Sequence, residues 1–143
     1  MLLRIVGVVL FCLGVMLAAL ALSNALHGAS LAALSAGLAK SENRPFDAST
    51  WLAHWRVTVL AAAGVGGAIA VAGAAIALGR RWGLLLLGTV LLFAAVAPWV
   101  LQWLGLIRYR FERPGLSDTT VLVAFAVLAI WGYFLRPEGR TDA

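Results

Sequence analysis

Apolar residues fill four long stretches of this chain, and the charged residues are confined to the segments between them. Lys, Arg, Asp and Glu are all absent from residues 5–39, 57–79, 82–107 and 119–135. A helix of roughly 17–25 mainly apolar residues crosses the hydrocarbon core of a bilayer. The alternation of polar and apolar residues that marks a membrane β-strand does not occur here. The pattern predicts four transmembrane helices, at about 4–24, 55–79, 82–106 and 118–135.

These helices predict an all-α integral membrane protein, a four-transmembrane-helix bundle that forms a single domain over residues 1–143. A cleaved signal peptide is the alternative for the first stretch, but its apolar run from Ile5 to Leu22 exceeds the usual length of about 7–15 residues. One longer extramembrane loop, about 25–54, follows the first helix. Because its leucines recur at helical spacing, this loop either extends the first helix or lies along the bilayer surface.

Residues at the predicted helix ends agree with this division. The segment from Asp47 to Thr50 offers side-chain oxygens that can cap the second helix. Gly79, Arg80 and Arg81 form a tight turn between the second and third helices. Pro98 lies inside the third helix, where its missing N–H predicts a kink near Ala94.

Composition excludes several classes of protein. The chain is 63% hydrophobic and 12% charged, with a mean hydropathy of +0.97, so its polar side chains are too few to cover a soluble globule. A single cysteine excludes a disulfide scaffold, and we expect Cys12 to act as a small buried apolar residue. The net charge of +5 suits an anionic membrane surface and does not indicate a nucleic-acid partner.

Basic residues close to the helix ends predict the orientation. The side that holds both termini and the 80–81 turn carries five arginines: Arg4, Arg80, Arg81, Arg136 and Arg140. The other side carries six basic residues, but Lys40 and Arg44 lie in the middle of the long loop, where charges steer insertion weakly. We therefore expect both termini to be cytoplasmic. The high content of Ala, Leu, Arg and Gly, with a single Lys, indicates a bacterium with a GC-rich genome, and we therefore expect this protein in the bacterial inner membrane.

Small residues predict how the helices associate, because lipid tails are as apolar as leucine and close packing must supply the affinity. The second predicted helix carries a stripe of small residues along one face, formed by Ala62, Gly66, Ala70 and Ala74. The first helix carries a second stripe, formed by Gly14, Ala18, Ala21 and Ala25. We expect the two stripes to meet within one chain, although either could dock on another subunit or on a second copy. The leucines of residues 84–92 are expected to face lipid.

One membrane face collects most of the residues that could bind a ligand. Its candidates for a lipid or partner rim are Trp51, His54, Trp55, Trp99, Gln102, Trp103, Arg108 and Arg110. Antiparallel helices bring these positions to one depth, and aromatic faces with an amide and fixed positive charge suit an anionic lipid or an amphipathic segment. The alternative is a plain interfacial belt, since Trp prefers the headgroup level.

The two histidines do not predict a metal or cofactor. A zinc site normally takes three or four protein ligands, and His27 and His54 supply two. Neither histidine lies at mid-membrane depth, which argues against a bis-histidine haem. No cofactor is expected.

The chemistry of the side chains bears on three classes of function. An enzyme is disfavoured because the six acidic residues form no spaced motif and no phosphate-binding loop is present. An ion-coupled carrier is disfavoured because such proteins keep ionisable residues within the membrane. The pattern favours a non-catalytic accessory, assembly or anchoring subunit of a membrane complex. The alternative is a homo-oligomeric passive pore or permease for a small solute, lined by the glycine-rich second helix.

Overall fold

The structure, a computed structural model, describes residues 1–104 and 116–135, without the side chains of 101, 102 and 116–118. All regular elements in these ranges are helices: α1 Leu2–Leu26, α2 Gly28–Ser41, α3 Ala48–Ala77, α4 Trp82–Trp103 and α5 Leu116–Leu135. Three helices are long and apolar enough to cross a membrane: Leu2–Leu26, Ala48–Ala77 and Trp82–Val100. The apolar part of α5, Thr119–Leu135, is shorter. The all-helical class is confirmed, whereas the four-span bundle stays a prediction.

The start of the second predicted helix was placed too late. Helix α3 begins at Ala48 rather than near residue 55, because the Asp47 side chain accepts a hydrogen bond from the Ser49 N–H and caps the first turn. The predicted loop 25–54 therefore contains the first two turns of α3. It also contains α2, which follows α1 after His27.

Helix α1 packs on α3 through small residues that recur every seventh position. The buried residues of α1 are Gly7, Gly14 and Ala21. Val59, Gly66 and Gly73 are buried on α3 at the same spacing. A seven-residue repeat keeps two helices in contact along a shallow crossing angle. The contact surface between α1 and α3, here called the seam, thus repeats every seven residues, and within a repeat it also uses residues four apart, since Gly14 lies against both Gly66 and Ala70.

The seam is antiparallel, and its backbones touch. A Cβ atom added to Gly7 would lie 2.7 Å from the Gly73 carbonyl oxygen, and one added to Gly73 would lie 2.7 Å from the Gly7 oxygen. One Cα–H of each glycine therefore points at the opposite carbonyl, a weak hydrogen bond that recurs between close helices. The same pairing joins Gly14 to Gly66, so each step of seven along α1 matches a step of seven back along α3.

The predicted meeting of the two small-residue stripes is confirmed at their centres. Gly14 lies against Gly66 and Ala70, and a Cβ atom added to Gly66 would lie 2.7 Å from the Ala18 nitrogen. Both predicted stripes were too short at one end, because contact continues beyond them to Gly7 on α1 and to Ala77 on α3. They were drawn too long at the other end, where Ala62 is exposed.

Helix α4 packs between α3 and α5. Gly83 lies against Ala72, and its added Cβ atom would be 2.8 Å from the Ala72 carbonyl oxygen. Gly88 lies against α5, where its added Cβ atom would be 3.0 Å from the Ala126 carbonyl oxygen. The buried core is small, comprising Ala72, Ile76, Leu87 and Ala129. Helix α4 thus approaches α3 closely at Gly83 and α5 closely at Gly88.

Two expectations about individual side chains are wrong. The leucines of 84–92 do not simply face lipid, because Leu87 is buried and Leu86 packs against the core. Gly83 brings α4 close enough to α3 for these side chains to interlock. Cys12 is exposed rather than buried, because it lies on the side of α1 away from the seam.

The turn between α3 and α4 also holds α5. Gly79 has φ +76°, a left-handed conformation that favours glycine, so the predicted turn is confirmed. Arg81 donates a hydrogen bond of 3.2 Å to the Tyr133 carbonyl, and its guanidinium lies 5.0 Å from the centre of the Tyr133 ring. A cation beside the last carbonyls of α5 also interacts favourably with the helix dipole.

The long helices contact one another in an open row. Close contacts join α1 to α3, α3 to α4 and α4 to α5, while α2 contacts α3 and α1. Among the described residues, the backbone of α1 does not approach that of α4 or α5. Helices α1 and α5 are therefore the two edges of the row.

Replacing glycine by alanine on α3 tests the seam. Gly66→Ala should destabilise the protein by about 1–3 kcal/mol, because the new methyl group meets the α1 backbone. Gly64→Ala is the matched control, since no atom lies within 4 Å of its added Cβ. It should be neutral or stabilising by up to about 1 kcal/mol. Thermal unfolding in mild detergent measures both, and equal melting temperatures for the two variants would contradict the seam.

Candidate functional site

The first turn of α3 positions the predicted rim. The Asp47 carboxylate accepts hydrogen bonds from the Ser49 N–H at 3.0 Å, from the Ser49 hydroxyl at 2.7 Å and from the Thr50 hydroxyl. The side-chain hydrogen bond from Ser49, followed by that from Thr50, lowers the pKa of Asp47 from 3.8 to about 2. A capped start fixes the direction in which the next residues of α3 project.

Aromatic rings stack on this first part of α3. The rings of Trp51 and Trp55 are nearly parallel, with an interplanar angle of 10° and centroids 5.3 Å apart. Phe46, before the helix, lies 6.3 Å from Trp51 and is tilted by 47°. The structure therefore brings two predicted tryptophans together and adds Phe46.

Trp55 also joins α3 to the junction of α1 and α2. Its indole Nε1–H donates a hydrogen bond of 3.3 Å to the Asn24 carbonyl, one of the last carbonyls of α1. A Cβ atom added to Gly28 would lie 3.1 Å from Trp55 Cδ1, so Gly28 lets the indole lie close to the backbone of α2. Such carbonyls at a helix end lack helical partners and need another donor.

The two histidines differ in their hydrogen bonding. His27 Nδ1 lies 2.8 Å from the Ser23 carbonyl oxygen within α1, and His27 is exposed. His54 is half-buried, and its Nδ1 atom is buried with no hydrogen-bond partner. The His54 carbonyl accepts the Thr58 hydroxyl at 2.9 Å. Of these two histidines, His54 is the one whose Nδ1 atom is buried without a hydrogen-bond partner among the described residues.

The remaining rim candidates lie elsewhere. Trp99 and Trp103 on α4 are exposed by 38% and 87%, and neither makes a ring contact with Trp51 or Trp55 within the described part of the chain. Trp99 follows Gly88 by three helical turns, so it shares the face of α4 that packs on α5. Arg108, Arg110 and the Gln102 side chain lie outside the described residues.

The rim as described is an aromatic cluster on the α1 side of α3, with a separate histidine. Its contacts are those of an interfacial anchor: stacked rings and one indole N–H bonded at a helix end. Sequence reasoning missed Asn24, Gly28 and Phe46. The close packing of Gly28 could have been predicted from the sequence, because this residue continues the seven-residue series of Gly7, Gly14 and Ala21. Whether the rim binds a ligand stays a prediction.

The Asp47 cap predicts a pH dependence. Since the folded pKa is lowered, the carboxylate stabilises α3 fully above pH 3.8, and this contribution is lost as the pH falls to about 2. Asp47→Asn keeps an acceptor oxygen but does not titrate. The difference in melting temperature between wild type and Asp47→Asn should therefore change between about pH 4 and pH 2. A constant difference across that range would contradict the cap.

The Trp55 hydrogen bond predicts an asymmetry between two neighbouring tryptophans. Trp55→Phe removes the N–H that bonds Asn24 and should destabilise the protein by about 1 kcal/mol. Trp51→Phe keeps an aromatic ring, and the described residues include no partner for the Trp51 N–H, so its effect should be smaller. Thermal unfolding in detergent compares the variants. A larger loss for Trp51→Phe would show that stacking, rather than the hydrogen bond, anchors the cluster.

No protein-family model, curated protein or solved structure matches this chain. The proposal for its function therefore depends on its own residues and their geometry.

Proposed function

We propose that this chain is a non-catalytic accessory, assembly or anchoring subunit of a larger membrane complex. The observation that carries the proposal is the open row of helices. Helix α1 lies at one edge and α5 at the other, and each of these edges packs against one long neighbour. A row with two edges can be extended by helices of another protein, as accessory subunits require.

The edges carry large apolar side chains. Val8 and Val15 are exposed on either side of Cys12 in α1, and Phe125 and Trp131 are exposed on α5. Lipid tails solvate such surfaces as well as another helix does, so a partner must be selected by shape. Branched and aromatic side chains on a fixed backbone supply shapes of that kind.

We further propose a multi-pass topology in a bacterial inner membrane, with α5 as the fourth span and both termini cytoplasmic. Helix α5 has 20 residues, which at 1.5 Å per residue is about the thickness of a bilayer core. Arg81 supports the orientation, because its hydrogen bond to Tyr133 holds the end of α5 at the same level as the 80–81 turn. Basic residues at one level favour the cytoplasmic side.

The alternative, a homo-oligomeric passive pore, has less support. Its lining was expected from the glycine-rich helix, which is α3. The face that carries Gly66, Ala70 and Gly73 packs against α1 and is closed by backbone contact. A pore would have to use the other faces of α3, where Gly64 and Gly67 leave open space.

Site-specific photo-crosslinking tests the subunit proposal. A benzophenone amino acid in place of Cys12 samples the α1 edge in native membranes, and the same probe in place of Phe125 samples the α5 edge. We expect at least one edge to yield a discrete adduct with a single different protein. That protein should also copurify stoichiometrically in mild detergent.

Adducts made only of two copies of this 15.1 kDa chain would contradict the subunit proposal and favour the pore. Adducts with lipid alone at both edges would contradict both. The wild-type chain, irradiated without the probe, is the control for background adducts.

A further inference from the structure

Helix α2 begins at the level where the charge-free part of α3 ends. Arg56 is exposed and directly precedes the charge-free stretch 57–79, so it marks the edge of the hydrocarbon core on this side. Its neighbour Trp55 donates a hydrogen bond to the Asn24 carbonyl, which places the end of α1 at the same level. Gly28 lies against that indole and follows Asn24 by about 6 Å of helix. Because head groups occupy about 5–8 Å beyond the core on each side, α2 starts within the head-group layer.

The helix breaks at His27, at this same level. Continued along the axis of α1, the 14 residues of α2 would extend about 21 Å outward, past the head groups. In a continuous helix the Asn24 carbonyl would accept the Gly28 N–H, but here it accepts the Trp55 indole N–H. The Ser23 carbonyl oxygen lies 2.8 Å from His27 Nδ1 in the same turn. Side chains thus bond the carbonyls of the last turn of α1, and the direction of α2 is not fixed by that of α1.

The leucines of α2 lie on one narrow face. At about 100° per residue, Leu31, Leu34 and Leu38 fall within an arc of about 60°. Leu34 and Leu38 are exposed by 66% and 67%, and Leu31, the nearest of the three to α3, is half-buried. These residues form an apolar ridge that the described part of the chain leaves uncovered at Leu34 and Leu38.

The other sides of α2 are turned toward α3 and toward water. Gly28 and Ala32 are buried and lie about 100° around the helix from the ridge. Lys40 is exposed and lies about 150° from the ridge, nearly opposite to it. An exposed ion pair of Arg44 with Glu42 follows the helix. With the ridge turned toward the hydrocarbon core, Lys40 faces water and α3 stands beside α2, which is the arrangement of a helix that lies in the interface.

We infer that α2 binds the surface of the protein's own bilayer, with Leu34 and Leu38 among the acyl chains just below the head groups and Lys40 in water. Transfer of leucine side chains out of water is favourable, and the bilayer is the apolar phase that already adjoins the start of α2. An interfacial helix of this kind holds the α1–α3 pair at a fixed depth. This position of α2 rests on the proposed membrane topology and not on the proposed subunit role.

Electron paramagnetic resonance of single spin labels tests the position of α2. Labels are attached in a Cys12→Ser background, and the protein is reconstituted into vesicles of phosphatidylethanolamine and phosphatidylglycerol. Oxygen concentrates among acyl chains, whereas a nickel chelate stays in water. The ratio of oxygen to nickel collisions should be severalfold higher at Leu34→Cys and Leu38→Cys than at Ala33→Cys and Lys40→Cys. The last two positions are also exposed but lie on other faces of the same helix.

A reference position and two matched variants complete the experiment. A label at Leu20→Cys, exposed by 55% on α1, should give the ratio of a lipid-facing residue. With the label at Leu38→Cys, Leu34→Asn should lower the ratio severalfold toward its value at an aqueous position, because it removes a neighbour from the ridge. Ser30→Asn, also exposed but off the ridge, should not change the ratio. Far-ultraviolet circular dichroism verifies that each variant stays helical.

Equal ratios at Leu34, Leu38 and Lys40 would overturn the inference, because α2 would then stand in water. Few collisions with either reagent at Leu34 and Leu38 would also overturn it and would assign the ridge to a second copy of the chain. An aqueous ratio at Leu20 would contradict the membrane topology itself, so failure of the topology is distinguished from failure of the α2 position. None of these outcomes affects the photo-crosslinking result at Cys12, which tests the subunit role separately.

Discussion

Backbone contact between α1 and α3 is the interaction on which the rest of the structure depends. Side chains larger than hydrogen at Gly7, Gly14, Gly66 or Gly73 would meet main-chain atoms of the other helix. In a membrane, where apolar side chains gain little by leaving lipid, such close approach supplies the packing that holds helices together. Because the seven-residue series extends to Gly28, the same contact also sets where Trp55 meets the end of α1.

The seam on one side of α3 leaves the opposite side for α4, and this division explains the open row. Helix α3 uses Gly66 and Gly73 toward α1 and Ala72 toward α4. Helix α1 approaches α3 closely at Gly66 and Gly73, and α4 approaches α3 closely at Gly83, beside the Gly79 turn. The short turn holds the start of α4 close to the end of α3.

The helices were predictable from the sequence because the charge-free stretches match the length that a bilayer requires. The helix boundaries were less predictable. The ends of a charge-free stretch indicate where the chain enters the membrane, whereas α3 begins earlier, at the Asp47 cap. The contact of Gly14 with Gly66 and Ala70 was predicted, but its seven-residue repeat was not, because the small residues of one helix do not reveal the angle at which it crosses another. The rim was predicted by depth alone. The depth of a residue in the membrane does not determine the direction in which its side chain leaves the helix. Trp99 was therefore grouped with Trp55, although the two lie on helix faces that meet different neighbours.

Double-cysteine cross-linking tests the seam most directly. In a Cys12→Ser background, Ala21→Cys combined with Val59→Cys places thiols at the two buried positions that the seven-residue register pairs. The account predicts an intramolecular disulfide on mild oxidation. Ala21→Cys combined with Ala62→Cys, one turn away, should stay reduced under the same conditions. Equal cross-linking of both pairs, or efficient cross-linking of the second pair alone, would contradict the register and with it the packing of α1 on α3.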